Sequence, residues 1–175
     1  MVACEITCGS TVTIEGGAVF KFPSSSATAY IKLNNTLICK TSSHRPSIFT
    51  AIDDDSVGDV APGSTGTPSG SYANTAALHL YHVYGPSLNN VRFSHFQEAL
   101  RVEQNFITTG VSVSRSQFVK CVKGIVLTGP DDGSGTGTGS CGTATPLTAN
   151  NCLFRRGHTA ASHIIALLKS AWART

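Results

Sequence analysis

Four carboxylates crowd together at Asp53, Asp54, Asp55 and Asp59, where the chain enters a stretch rich in Gly, Ser, Thr and Pro. Consecutive carboxylates repel one another unless something neutralises them. A hard cation such as Ca2+ takes roughly six to eight oxygens from flexible loops. The expected chemistry is therefore Ca2+ held by Asp53, Asp54, Asp55 and Asp59 at the base of a long loop. The spacing is not the D-x-D-x-D-G of an EF-hand, so the same residues also suit a solvated acidic turn whose carboxylates cap backbone N–H groups. A second acidic pair, Asp131-Asp132, lies inside the Gly-rich run at 129–142, and Arg156-Gly157-His158 follows it. Flexible Gly on both sides positions catalytic groups poorly, and an Asp-Gly turn accounts for the pair without any chemistry.

Other residue types offer less. His79 and His82 would be a metal pair only if they shared a face, and on an alternating strand they point to opposite sides. The six cysteines, Cys4, Cys8, Cys39, Cys121, Cys141 and Cys152, include no C-x-x-C, which weakens zinc and thioredoxin readings. Cys39 and Cys121 fall in strand-like segments and read as small core residues. Cys4–Cys8 or Cys141–Cys152 is the pair able to bridge in an oxidising compartment. Asn34-Asn35-Thr36 is a formal glycosylation sequon.

The elements that must position these residues repeat. Ile31-Lys32-Leu33, Leu78-His79-Leu80, Leu100-Arg101-Val102 and Ile125-Val126-Leu127 all read apolar–variable–apolar, and Ala77, Ala99 and Gly124 precede the last three. Between the last two copies a whole unit of 25 residues matches, with Phe93 falling on Phe118, Leu100 on Ile125 and Val102 on Leu127. Asn150 to Phe154 continues the match to Ser114–Phe118 at an offset of 36, the excess falling in the Gly-rich insertion. A period of this size with two-residue alternation predicts a β-solenoid, which accepts insertions at the loops on one side. Strands are expected at 11–22 around Gly16-Gly17, and at 29–33, 36–39, 47–50, 76–84, 91–96, 99–103, 111–113, 117–119 and 124–128. Residues 53–75 and 129–146 are expected as loops outside the core. Glu98 and Lys123 should face each other one period apart. Asn34-Asn35, Asn89-Asn90 and Asn150-Asn151 should mark corners, where stacked amides can bond as a ladder. Residues 160–172 contain neither Gly nor Pro and space Ile164, Leu167, Leu168 and Trp172 as one helical face, which predicts a short terminal helix over the last coil.

The totals bound the class. With 175 residues the chain can bury a core as one domain, or form part of a longer one. A charged fraction of 13% and 17 Gly suit short strands and turns and exclude a disordered chain. The net charge of +3 carries no basic stripe interleaved with aromatics, which argues against nucleic acid. No apolar run approaches the roughly 20 residues of a membrane helix. Met1-Val2-Ala3-Cys4 has neither the charged start nor the apolar stretch of a signal peptide, so the expectation is a piece of a longer exported protein or a mature segment carrying an added Met, with an intracellular protein as the alternative.

VTIEGGAVFKF, then IKLNNTLICK and RPSIFTAIDDDSVGD, resembles the right-handed parallel β-helix domains, of pectate-lyase-like fold, found in secreted and surface bacterial proteins. The match covers residues 11–59 best, and the 25-residue coils after 76 agree with it. The resemblance implies an all-β single-stranded solenoid in an extracellular or cell-surface setting. It is specific for the fold and weak for activity, because this fold carries lyases, hydrolases and adhesins alike. Polygalacturonase-type members use an Asp pair with a downstream Gly-His turn, which Asp131, Asp132 and His158 echo, but their upstream Asn-Thr-Asp and later Arg-Ile-Lys are absent. An inverting pair would also stand roughly 6.5–9.5 Å apart with water between. A lyase would need an Arg or Lys base beside bound Ca2+; Arg45, Arg92, Arg101 and Arg115 are available, and no spacing selects one. The resulting expectation is a non-catalytic module, structural, adhesive or polysaccharide-binding. A polysaccharide lyase or glycoside hydrolase for uronic-acid polymers is the alternative, and a subunit that self-associates head to tail is the second.

Overall fold

The computed structural model describes residues 1–2, 4–24, 29–103, 110–128 and 147–155. The expected loop at 129–146, the terminal helix at 160–172, and the candidates Asp131, Asp132 and His158 lie outside the described residues. The described chain is all-β: β1 (Glu5–Cys8), β2 (Val12–Glu15), β3 (Val19–Phe22), β4 (Tyr30–Leu33), β5 (Leu37–Lys40), β6 (Ser47–Ala51), β7 (Tyr72–Leu80), β8 (Ser87–Asn89), β9 (Val91–Ser94), β10 (Phe96–Glu103), β11 (Val111–Ser114), β12 (Gln117–Val119), β13 (Lys123–Thr128), β14 (Leu147–Asn150) and β15 (Leu153–Arg155). The strands pair in parallel throughout. A first five-stranded sheet runs β1-β4-β7-β10-β13 and a second β3-β6-β9-β12-β15; smaller sheets join β8, β11 and β14, and β2 and β5.

Register explains the sequence repeat. Phe93 pairs with Phe118 and Leu100 with Ile125, both 25 positions apart. The same interval joins Glu5 to Tyr30 and Val12 to Leu37, extending the unit into the first residues of the chain. Ser114 pairs with Asn150 and Phe118 with Phe154, the offset of 36 expected from the insertion.

Parallel in-register strands put like residues above one another about 4.8 Å apart, so each position of the unit becomes a row. In the first sheet the rows Ile31–Leu78–Leu100–Ile125 and Leu33–Leu80–Val102–Leu127 are buried. In the second sheet Phe20, Phe49, Phe93, Phe118 and Phe154 form one continuous stack, with successive ring centroids 4.5, 4.8, 5.4 and 4.8 Å apart. Phe96 meets Phe22 edge-on at 5.2 Å and so ties the two sheets together. This stack also explains the small residues ahead of each apolar triplet. A Cβ on Gly124 would lie 2.9 Å from the Phe154 ring, and Ala99 and Ala77, beside it in the register, are fully buried.

Two expectations need correcting. The loop at 53–75 is shorter and closer to the core than its composition implies. Strand β7 begins at Tyr72, and Tyr72, Ala73, Asp53 and Asp54 are buried. Tyr72 opposes Phe96, and from there to Ala76 four steps of β7 run against two of β10, with Ala73 in the left-handed region at φ 50°. The Asn ladder is also interrupted. Asn90 and Asn151 do take left-handed backbone at φ 48° and 56°, yet Arg115 occupies the corner between them at φ 48°. The neighbouring row is Asn89–Ser114–Asn150. An amide cannot reach across an intervening layer, so Asn89 instead bonds Thr41 and Asn90.

Candidate functional site

The acidic loop turns back over the second sheet and is held by protein donors. Tyr72 donates its hydroxyl to Asp53 Oδ2 at 2.6 Å, and the Thr65 N–H donates to Asp53 Oδ1 at 2.7 Å. The Tyr72 bond, helped by Thr65, keeps the Asp53 carboxyl below the usual carboxylate range; burial first and Asp53 second push the Tyr72 phenol up. Asp54 accepts from Thr50 Oγ1 at 2.6 Å and from both the N–H and hydroxyl of Ser56. Burial works to raise Asp54, and those donors together outweigh it. Asp55 accepts from Ser64 at 2.8 Å and stands 3.7 Å from Lys21 Nζ, which donates to the Asp54 carbonyl at 2.9 Å. Asp59 is exposed and lines an open depression with Val19, Lys21 and Pro62. Of the four carboxylates expected as Ca2+ ligands, Asp53, Asp54 and Asp55 therefore meet different partners, and Asp59 faces the open depression. Among the described residues no three His, Cys, Asp or Glu side chains gather as a metal-binding group.

The outer face of the first sheet brings together residues that the sequence did not connect. The variable position of the repeated triplet forms one row, Lys32–His79–Arg101–Val126. Rings run across this row: Tyr30 lies 6.4 Å from His79, His79 meets Tyr81 edge-on at 5.8 Å, and Tyr81 lies 5.2 Å from His82. Lys32 Nζ is 3.8 Å from the Tyr81 ring centroid, a cation–π contact. His79 Nε2 is 3.1 Å from Glu103 Oε2. Burial holds His79 below the ordinary imidazole value, although Glu103 opposes it. The Tyr30 hydroxyl beside Glu5 holds the acid below its ordinary value, and Glu5 pushes the phenol up. On the same face Glu98 is buried and takes Lys123 at 2.8 Å, as expected from its position, and Arg101 as well. Burial alone would raise the Glu98 carboxyl; Lys123 and Arg101 override it. The result is a run of half-buried to exposed rings bordered by donors and acceptors of both signs.

His79 and His82 thus share one run of rings, in which His79 belongs to β7 and His82 follows its end. Strand β7 stops at Leu80 and His82 falls in the bend that follows, so the two rings are joined through Tyr81. Tyr30 and Tyr81 were missed, although the middle position of the four triplets was a usable signal for this face.

The arginines offered as lyase bases do not converge. Arg45 Nη2 donates to the Gly16 carbonyl at 2.8 Å, Arg101 is held by Glu98, and Arg92 and Arg115 belong to the other side of the molecule. Cys4, Cys8, Cys39, Cys121 and Cys152 are all free thiols. Cys8 ends β1, an extended strand that carries it beyond the ~7 Å Cα separation a bridge to Cys4 would allow. Cys121 is a core residue as expected, and burial pushes its thiol up to about 12. No family model matches this chain, and no curated protein and no solved structure matches it.

Proposed function

We propose that this chain is a right-handed parallel β-helix and serves as a non-catalytic module of an extracellular or cell-surface protein, binding polysaccharide along the outer face of its first sheet. The recurrence of one 25-residue register in both large sheets supports the coiled path. The observation that carries the binding role is the run Tyr30–His79–Tyr81–His82 beside Lys32, Arg101 and Glu103. Aromatic rings offer the apolar face of a sugar a platform with a polar tip, and the flanking charged groups supply donors and acceptors for hydroxyls. Among the described residues the acids Glu98, Glu103, Asp53 and Asp54 are each tied to protein donors, which suits structural roles.

The test is affinity for a panel of soluble polysaccharides, followed by titration of the best ligand into Tyr81→Ala and Tyr30→Ala. A loss of about tenfold or more, at unchanged melting temperature, is expected, since stacking of one ring on an aromatic is worth about 1–3 kcal/mol in the nucleic-acid analogue. Unchanged affinity in both variants would reject the face. Unsaturated product or new reducing ends would move the reading to the enzyme, and concentration-dependent filaments would move it to self-assembly. Calcium is tested in the same samples. With their oxygens already holding protein donors, Asp53, Asp54 and Asp55 are expected to take Ca2+ only weakly. A melting temperature that climbs with the logarithm of Ca2+, and no longer climbs in Asp54→Asn/Asp55→Asn, would restore the cation.

A further inference from the structure

Beside the acidic loop, the part of the second sheet formed by β9, β12 and β15 and the strands next to it carries charge of one sign. Segments 86–97, 111–122 and 147–155 contain Arg92, Arg115, Lys120, Arg155 and His95 and no Asp or Glu. They build β8, β9, β11, β12, β14 and β15, three adjacent strands of the second sheet with the three strands beside them. The first sheet is balanced by contrast, with Glu5, Glu98 and Glu103 against Lys32, Arg101 and Lys123.

Register brings these cations to one surface without stacking them directly. Arg92 lies between Ile48 and Gln117, and Arg155 lies beside Val119. At the corners, Arg115 falls between Asn90 and Asn151. Lys120 follows His95 by one unit, and its N–H bonds the Arg155 carbonyl at 2.8 Å. Arg115, Lys120 and Arg155 are exposed, while Arg92 and His95 are half-buried. Two buried polar atoms here, Arg92 Nε and His95 Nδ1, have no hydrogen-bond partner among the described residues. The nearby acid, Asp54, already holds Thr50 and Ser56. A surface of one sign repels itself and attracts polyanions over several ångströms. Neutral neighbours within each row limit that repulsion and leave the attraction intact.

We infer that this surface binds a linear acidic glycan, its carboxylates meeting Arg92, Lys120 and Arg155, with Arg115 at the border. The strands step about 4.8 Å apart, so the cations form a shallow ramp along the stack and suit an extended chain carrying regularly spaced single charges. Single-stranded nucleic acid is disfavoured because its binding sites combine cations with rings for the bases. Here the phenylalanines of the second sheet point inward, and the outward row Val19–Ile48–Arg92–Gln117–Leu153 carries no ring. The inference concerns a surface separate from the ring run, so each can fail alone.

The experiment titrates fragments of polymannuronate, one carboxylate per sugar, into the whole chain at low and at physiological salt. Binding should weaken at least tenfold with added salt and vanish for the same fragments after reduction of their carboxyls. Arg92→Gln/Lys120→Gln/Arg155→Gln should lose at least tenfold in affinity, and Tyr81→Ala should bind as the parent does. Lys120→Gln/Arg155→Gln changes only exposed side chains; it should keep the parent melting temperature and still lose several-fold, which separates binding from folding. No binding at low salt, or full binding by the variants, overturns the inference. Tighter binding of a single-stranded oligonucleotide of equal charge overturns it in favour of nucleic acid.

Discussion

The two five-stranded sheets obey one stacking rule and use it for opposite ends. In the second sheet the row that repeats is a ring: five phenylalanines lie in register, inside, and the outer surface holds only cations among its charged strand residues. In the first sheet the repeating rows are aliphatic, Tyr30 and His79 lie on the outer face while Tyr72 and Phe96 are buried, and charges of both signs are paired. Parallel register multiplies whatever a position carries. Like rings gain from being stacked, whereas like charges would be destabilised, so the first sheet neutralises its charges and the second separates them with neutral neighbours. Interior rows are chosen for what stacking adds, and exterior rows for what it must not accumulate.

The largest effect belongs to the ring stack. Phe118 touches a ring above and below, at 5.4 and 4.8 Å, and is almost wholly buried. Phe118→Ala should cost about 3–5 kcal/mol in denaturant unfolding, the transfer loss plus an unfilled cavity. A loss below about 1 kcal/mol would mean that the stack is decoration and that the two interiors do not differ.

Next comes Glu98, the buried acid of the first sheet. Glu98→Gln should cost about 1.5–3 kcal/mol, because it removes charged hydrogen bonds and leaves Lys123 and Arg101 facing a neutral amide. Its carboxyl is held below the ordinary range, so its stabilisation is complete above the unfolded value near 4.3 and is lost as pH falls through the folded value. His79 and His95 are held low by burial. The unfolded chain therefore takes up their protons first, and stability should start to fall as pH drops below about 6.5. A flat stability profile between neutral pH and pH 5 would contradict the buried histidines. Acid stability unchanged by Glu98→Gln would contradict the pair.

Gly124 tests the contact between the sheets. Gly124→Ala places a methyl 2.9 Å from the Phe154 ring and should cost about 1–3 kcal/mol by overpacking. Phe154→Leu in the same chain should recover part of the loss, a coupling that a purely conformational effect of the alanine would not produce.

Much of this frame was legible in the residues, and the reasons for the gaps are physical. The interval of 25 exposed the rows through Phe93, Phe118, Leu100 and Ile125, and the offset of 36 placed Phe154. Phe20 and Phe49 escaped because their register steps are 29 and 44, from Phe20 to Phe49 and from Phe49 to Phe93, stretched by intervening loops. Strand β8 escaped because Ser87-Leu88-Asn89 has a single apolar residue and is held by its neighbours. The acidic run announced its charge, but not its donors. Tyr72 and Lys21 stand 19 and 33 residues from the carboxylate or carbonyl they reach, and no local pattern joins them. The ring run was half visible. Lys32 and His79 occupy the variable position of the triplet, whereas Tyr81 lies beyond the end of β7, where alternation gives no face.

The smallest effect is expected where the sequence relation is identical. Glu15 and Lys40 are register partners 25 residues apart, as Glu98 and Lys123 are, and their charges meet at 3.2 Å. Both side chains are about 60% exposed, against 8% for Glu98. Water screens the exposed pair and side-chain entropy opposes fixing it, so Glu15→Gln should cost about 0.2–1 kcal/mol at most and fade with added salt. Glu98→Gln should retain its larger cost in salt, because a buried acid is screened little and its hydrogen bonds depend on geometry. Measuring both substitutions at low and high salt separates register from burial. Equal losses would mean that the 25-residue relation itself sets the energy. Unequal losses, converging on zero only for Glu15, would assign it to the depth at which the first sheet holds its acid.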